Sequence, residues 1–246
     1  MITGIFHQGS GLGNQLHRYV MIRVLALDKG LEFGMKNQEL FKGQSFMTLD
    51  MGKEYKGHYY EYVEKRVNNE QGVDIRYYDW EGILHIKDNA LIDGEFQGEK
   101  YYVHHLDKIR EWLKVEPLDM PDDVCVINFR GGEYVGIKDL FLPKEYWDLA
   151  ISKMKLINPN MIFEVHTDDI ETARQFFPEY KIIRDIGINW RSIRYAKYLI
   201  LSNSSFAILP ALLGNAVTIY APMYWAGRNV GYWKMRQNEY NRFIHI

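Results

Sequence analysis

Three short stretches of this chain put charged or hydroxyl groups where an apolar run ends, and a fourth is rich in glycine. In VINFRGGEY (Val126 to Tyr134), Arg130 follows the apolar run and precedes a glycine pair. A guanidinium beside flexible backbone suits the grip of a diphosphate, because its fork of donors matches two phosphate oxygens. The plainer reading is a surface arginine paired with Glu133 or Asp139. In HTDD (His166 to Asp169), the two acids suit a ribose or a base N–H, or they cap the next helix. Asp169 fits the cap and Asp168 the ligand. Two adjacent acids without further ligand spacing make a poor metal site. In LSNSSFA (Leu201 to Ala207), Asn203, Ser204 and Ser205 bring an amide, two hydroxyls and unpaired N–H groups to the positive end of a helix, which favours phosphate. One serine would serve as an ordinary cap. GIFHQGSGLGNQLHRYV near the start places Gly9, Gly11 and Gly13 before Asn14 and Gln15. It reads either as backbone approaching a ligand or as a tight turn. It lacks the final glycine of the dinucleotide fingerprint, which disfavours a dehydrogenase.

These groups need a scaffold, and the patterning describes one. Ile2 to His7 reads as a strand. Leu16, Tyr19, Val20, Val24 and Leu27 recur at helical spacing, Gly30 suits the helix end, and Leu31 to Met35 suits a second strand. The stretch from about Lys36 to Asn89 shows no steady periodicity and reads as insertions or loops over a cleft. Val103, Leu106, Ile109, Arg110 and Leu113 mark a further helix, and VEPLDMPDD (Val115 to Asp123) reads as a linker. Beyond it, strands alternate with helices. Strands are expected at Val124 to Phe129, Met161 to His166, Tyr180 to Arg184, Tyr198 to Ser202 and, last, Ala216 to Tyr220. Helices are expected from Pro143 to Ile157, Ile170 to Phe177, Asn189 to Lys197 and Ser205 to Gly214. The expectation is an α/β protein of two lobes, residues 1–117 and 118–246, the second a doubly wound parallel sheet. Arg130, Asp168 and Ser204 then fall at the ends of parallel strands and share one crevice, whose natural occupant is a nucleotide diphosphate.

Composition narrows the classes. With a net charge of −2 a basic face for nucleic acid is not expected, though a local patch is compatible with it. The single cysteine, Cys125, excludes an internal disulfide and sits in an apolar run as a buried strand residue. No signal peptide or membrane-crossing run is visible, so a soluble cytoplasmic protein is expected.

Five stretches carry a resemblance. GLGNQL (Gly11 to Leu16), DGEFQGEKYY (Asp93 to Tyr102), NFRGGEY (Asn128 to Tyr134), TDD (Thr167 to Asp169) and NSSF (Asn203 to Phe206) occur in the order found in glycosyltransferase family 11, the α-1,2-fucosyltransferase-like enzymes. The chain resembles that family over nearly its whole length. The resemblance implies a GT-B-like fold, two Rossmann-like lobes facing a cleft, with the acceptor on the N-terminal side. It implies an inverting, metal-independent transfer of fucose from GDP-β-L-fucose to a glycan hydroxyl, with no cofactor beyond the donor itself. Arg130 matches the first arginine of the family's His-x-Arg-Arg-Gly-Asp-Tyr motif and would bind the diphosphate. Asn128 stands where the family has histidine, Gly131 where it has its second arginine, and Glu133 where it has aspartate. Asp168 would lie near the guanosine. Ser204, Ser205 and Phe206 would hold phosphates and base or sugar, with Gly11, Gly13 and Asn14 approaching from the other lobe. The acceptor hydroxyl must lose a proton, and Glu95, Glu133, Asp139 and His7 are the candidate acceptors, each also readable as a surface charge or cap. The rivals are a transferase using another donor such as GDP-mannose, and a non-catalytic nucleotide- or glycan-binding relative.

Overall fold

The computed structural model describes residues 1–54, 57, 60–68, 74–76, 79–226, 233–234 and 242–246. Contacts divide the chain into Met1–Lys114 and Val115–Ile246. The division falls three residues before the expected 117/118 boundary, because Val115 is buried and its carbonyl accepts from the Tyr195 hydroxyl.

In the first unit, β1 (Ile2–Ile5) leads into α1 (Leu12–Asp28) and β2 (Phe33–Lys36). Then come β3 (Tyr60–Val63), β4 (Arg66–Asn68), β5 (Asp74–Arg76), α2 (Trp80–Leu84), β6 (Ala90–Asp93) and α3 (Leu106–Trp112). The main sheet runs β2-β1-β6-β3, parallel throughout; β4 and β5 form an antiparallel ribbon. The aperiodic stretch after Lys36 thus supplies an edge strand as well as loops; residues 55, 56, 58, 59, 69–73, 77 and 78 of it lie outside the described residues. Helix α1 is buried nearly all round, polar Gln15, His17 and Arg18 included. It starts at Leu12, four residues before the apolar spacing shows it, because Gly11 takes the extended conformation of a cap.

The second unit contains β7 (Val124–Phe129), α4 (Lys144–Ile157), β8 (Ile162–Thr167), α5 (Ile170–Phe176), β9 (Lys181–Ile183), α6 (Ile186–Tyr195), β10 (Tyr198–Leu201), α7 (Ser205–Leu213), β11 (Thr218–Ala221), β12 (Tyr224–Ala226), β13 (Trp233–Lys234) and β14 (Ile244–His245). Its six-stranded sheet runs β14-β11-β10-β7-β8-β9, with every pair parallel. The chain steps outward from β7 to β9, returns, and steps the other way from β10. This is the doubly wound order expected from the alternation. Two expectations change. Helix α6 begins at Ile186, not Asn189, because the Asp185 carboxylate accepts the Ile188 N–H and starts the helix early. The stretch Ala216 to Tyr220 is not the last strand; β14 adds an outer one, and two residues are too short to show a period.

Successive residues of β7 point to opposite faces. Cys125, Ile127 and Phe129 join Trp147, Ala150 and Met154 of α4 and Ala173 of α5 in one apolar cluster. Burial pushes the Cys125 thiol far above its ordinary pKa, so it is an inert core residue. Asn128 lies on the other face beside its register partner His166, beneath α6, whose Asn189 bonds that imidazole at 2.9 Å. Among the described residues no helix is long and apolar enough to cross a membrane.

Candidate functional site

The winding direction of the second sheet reverses between β7 and β10, which are hydrogen-bonded neighbours. In such sheets the crevice beyond the carboxyl ends at this reversal is where ligands bind. The loop after β7 begins with Arg130, and the segment after β10 is Ser202 to Ser204. The two therefore flank the reversal, tied beneath by the Ser202 hydroxyl, which donates to Asn128 Oδ1 at 2.8 Å. Asn128 is buried, with its amide oxygen committed to that tie. It positions the two loops and presents that oxygen to nothing outside.

Arg130 is engaged on two sides. Its guanidinium donates to Asp168 at 2.6 Å and to Glu133 at 2.8 Å, and stacks over Tyr134 at 5.2 Å. The pairing with Glu133 is the plainer reading of this arginine, and it holds alongside the contact with Asp168. The glycines that follow are explained by the same acids. Gly131 N–H donates to Asp168 at 3.0 Å and Gly132 N–H to Asp169 at 3.2 Å. A Cβ on Gly131 would lie 2.7 Å from the Asp169 Cβ, and Gly132 has a φ of +48°. The second arginine of the resembling family has no room at position 131. Asp169 also caps α5 through the Thr172 N–H at 3.1 Å. The Thr172 hydroxyl bond, offsetting burial with help from the backbone bonds, holds the Asp169 carboxyl below its ordinary pKa.

Ser204 takes the cap position of α7, yet its hydroxyl makes no capping bond. By contrast the caps of α2, α5 and α6 are aspartates whose side chains accept from the helix N–H groups. The α7 terminus thus keeps its positive end free of a capping carboxylate. Asn203 is buried and donates to the carbonyls of Leu140 and Trp225, anchoring the segment. Phe206 packs edge-on against Trp190 at 5.8 Å, which gives it a structural contact.

The first unit has its own reversal, between β1 and β6, and two expected motifs meet there. His7, just past β1, and Asp93, the last residue of β6, lie 2.8 Å apart through His7 Nε2. Arg18 of α1 holds Asp93 at 3.3 Å and the Gly94 carbonyl at 2.6 Å. Gln97 donates to both Asn14 and Glu95, each at 2.9 Å. The buried Glu64 carboxylate accepts the N–H groups of Glu95 and Phe96. Phe96 adopts a φ of +45°, rare for a bulky side chain; such strain, held in place by its surroundings, gathers at functional sites. Gly9 has a φ of +80°, so the turn requires glycine there. Gly11 has ordinary extended backbone, and a Cβ on it would meet nothing within 4 Å. Nothing in the fold demands that glycine, whereas Gly13 is buried in the first turn of α1.

Of the residues expected to form the site, Arg130, Glu133 and Asp168 come together, with Ser204 and Ser205 across the reversal from them. Asn14 and Glu95 come together through Gln97 in the first unit. Asp139 is exposed. The reading of single motifs passed over Asp93 and Arg18. Asp93 closes the apolar run Ala90 to Ile92, a usable signal, but its partner His7 is 86 residues away. A surface hollow of about 470 Å³ between α4 and the end of α5, lined by Lys144, Ser152, Phe176 and Tyr180, contains none of the expected residues.

No family model and no curated protein matches this chain. Among solved structures, the E. coli heptosyltransferase WaaC with ADP is similar at 10% identity and a TM-score of 0.43, covering 95% of this chain and 91% of its own. A mutant of Arabidopsis thaliana FUT1 in complex with GDP is similar at 11% identity and a TM-score of 0.48, covering 91% and 70%. A glycosyl transferase family 9 structure from Veillonella parvula is similar at 11% identity and a TM-score of 0.44, covering 89% and 80%.

Proposed function

We propose that this chain is a nucleotide-sugar glycosyltransferase of GT-B-like architecture. The observation that carries the reading is the reversal between β7 and β10, flanked by a guanidinium on one side and a hydroxyl-rich helix start without a capping carboxylate on the other. The diphosphate of the donor sits across that reversal. Ser204, Ser205 and the α7 N–H groups take its oxygens, and Arg130 stabilises the charge that builds on it as the sugar leaves. The assignment of guanine and fucose, of inversion and of metal independence rests on the resemblance to glycosyltransferase family 11. The exposed Glu133 releases Arg130 at little cost, since surface ion pairs are worth about 0–1 kcal/mol. Asp168 keeps the guanidinium oriented meanwhile. Within the first unit, Asp93 holds His7 Nε2 and Arg18 holds Asp93, an arrangement that suits His7 to take a proton from a hydroxyl through Nδ1.

Thermal shift with GDP, UDP, ADP and NAD tests the reading. GDP is expected to raise the Tm most, Arg130→Ala to abolish the shift, and turnover of GDP-fucose by that variant to fall on the order of 100-fold or more. Equal shifts with all four nucleotides, or a shift unchanged in the variant, refute it. The double engagement of Arg130 favours one other reading, a binder that holds GDP without transferring sugar. That protein shifts with GDP yet releases none from GDP-fucose.

A further inference from the structure

At the opposite end of α1 lies a cluster that sugar transfer does not use. Asp28 is the last residue of that helix, and His104 and His105 form the end of a short 3-10 turn before α3. Both rings reach the same carboxylate, His104 Nε2 to one oxygen at 3.0 Å and His105 Nε2 to the other at 2.6 Å. The ring centroids are 4.5 Å apart, and the three ligand atoms lie within 4.8 Å of one another. Here the backbone is held on both sides. Tyr102 is fully buried and bonded to His17, and Leu106 and Ile109 are buried beyond. The nearest cation in sequence, Lys29, is turned away to the Leu84 carbonyl.

The electrostatics also point to a cation. The last turn of α1 carries no basic residue and ends in an acid, so a carboxylate sits at the negative end of a helix dipole, where cations are favoured. The site is roughly 25 Å from the glycine-rich start of the helix, taking 1.5 Å per residue.

We propose that Asp28, His104 and His105 bind a divalent transition-metal ion, zinc above all. Two imidazoles and one carboxylate suit zinc and its neighbours and disfavour magnesium and calcium, which take oxygen ligands. Tetrahedral zinc with bonds near 2.0–2.2 Å sets its ligand atoms about 3.3 Å apart. Against that spacing the His104 contact at 3.0 Å opens by about 0.3 Å and the His105 contact at 2.6 Å by about 0.7 Å. Three protein ligands leave a coordination position to water, and the half-exposed setting keeps the ion exchangeable.

The test is calorimetric titration of the chelator-treated full chain with zinc chloride, and separately with magnesium chloride. One zinc per chain is expected, with no comparable magnesium binding. His104→Gln, His105→Gln and Asp28→Asn are each expected to lose on the order of tenfold or more in zinc affinity. His85→Gln, on a histidine outside the cluster, retains it. Imidazole nitrogen NMR of the unmodified protein provides a second measurement should a variant fail to fold, and zinc is expected to move the Nε2 signals of His104 and His105. Zinc affinity unchanged in all three variants, equal magnesium binding, or shifts confined to other histidines overturns the proposal.

Discussion

Replacing Glu133 with glutamine separates two roles that its position allows. Glu133 pairs with Arg130 at 2.8 Å while its own side chain is 71% exposed. An exposed pair of this kind is worth about 0.2–1 kcal/mol. If Glu133 competes with the donor diphosphate for the guanidinium, Glu133→Gln returns that energy to binding, and 1 kcal/mol is about a fivefold change in affinity. The replacement also removes one negative charge from a cluster in which Glu133, Asp168 and Asp169 outnumber the single guanidinium. GDP affinity measured by calorimetry is therefore expected to rise up to about fivefold, more at low salt than at high, with turnover of GDP-fucose nearly unchanged. Asp168→Asn is expected to act oppositely, because Asp168 orients Arg130 and also holds the Gly131 N–H. A GDP affinity that stays level or falls in Glu133→Gln refutes the competition. A turnover loss on the order of 100-fold at unchanged affinity makes Glu133 the proton acceptor instead.

The role of His7 is checked by His7→Gln, expected to lower turnover on the order of 100-fold or more, while Asp93→Asn, which only positions the ring, costs less. Loss of donor affinity without loss of turnover at saturation would count against that role. Asp169→Ala removes a helix cap and the anchor of Gly132, and is expected to destabilise the protein by about 1 kcal/mol, read as a lower Tm at pH 7. Because the folded carboxyl titrates below its unfolded value, its contribution is present above the ordinary aspartate pKa and fades as the pH falls below it. The Tm gap between wild type and variant should narrow as the pH falls below the ordinary aspartate pKa; a gap that is constant with pH contradicts the assignment.

Much of the fold was legible in the chain because its second half alternates cleanly. The run Val124 to Phe129, apolar but for Asn128 and buried throughout, reads as a central strand, and Pro143 and Asp169 mark helix starts by their local chemistry. The first half was harder. Its helix α1 is buried on nearly every side, so no polar stripe sets its start. The edge strand β3 lies in a stretch with no steady period, and its partner β6 comes nearly thirty residues later.

For the candidate site, the sequence determined which groups end the strands, since the carboxyl end of a strand follows from local pattern alone. It thereby determined that Arg130, Asp168 and Ser204 lie along one sheet edge. Tertiary structure decided what those groups do to one another. It closed Asp168 and Asp169 onto the Arg130–Gly132 loop, left the Ser204 hydroxyl out of its own helix cap, and joined His7 to Asp93 across 86 residues of chain. Strand order is a matter of which non-local pairings bury the most apolar surface, and no spacing within a single motif records it.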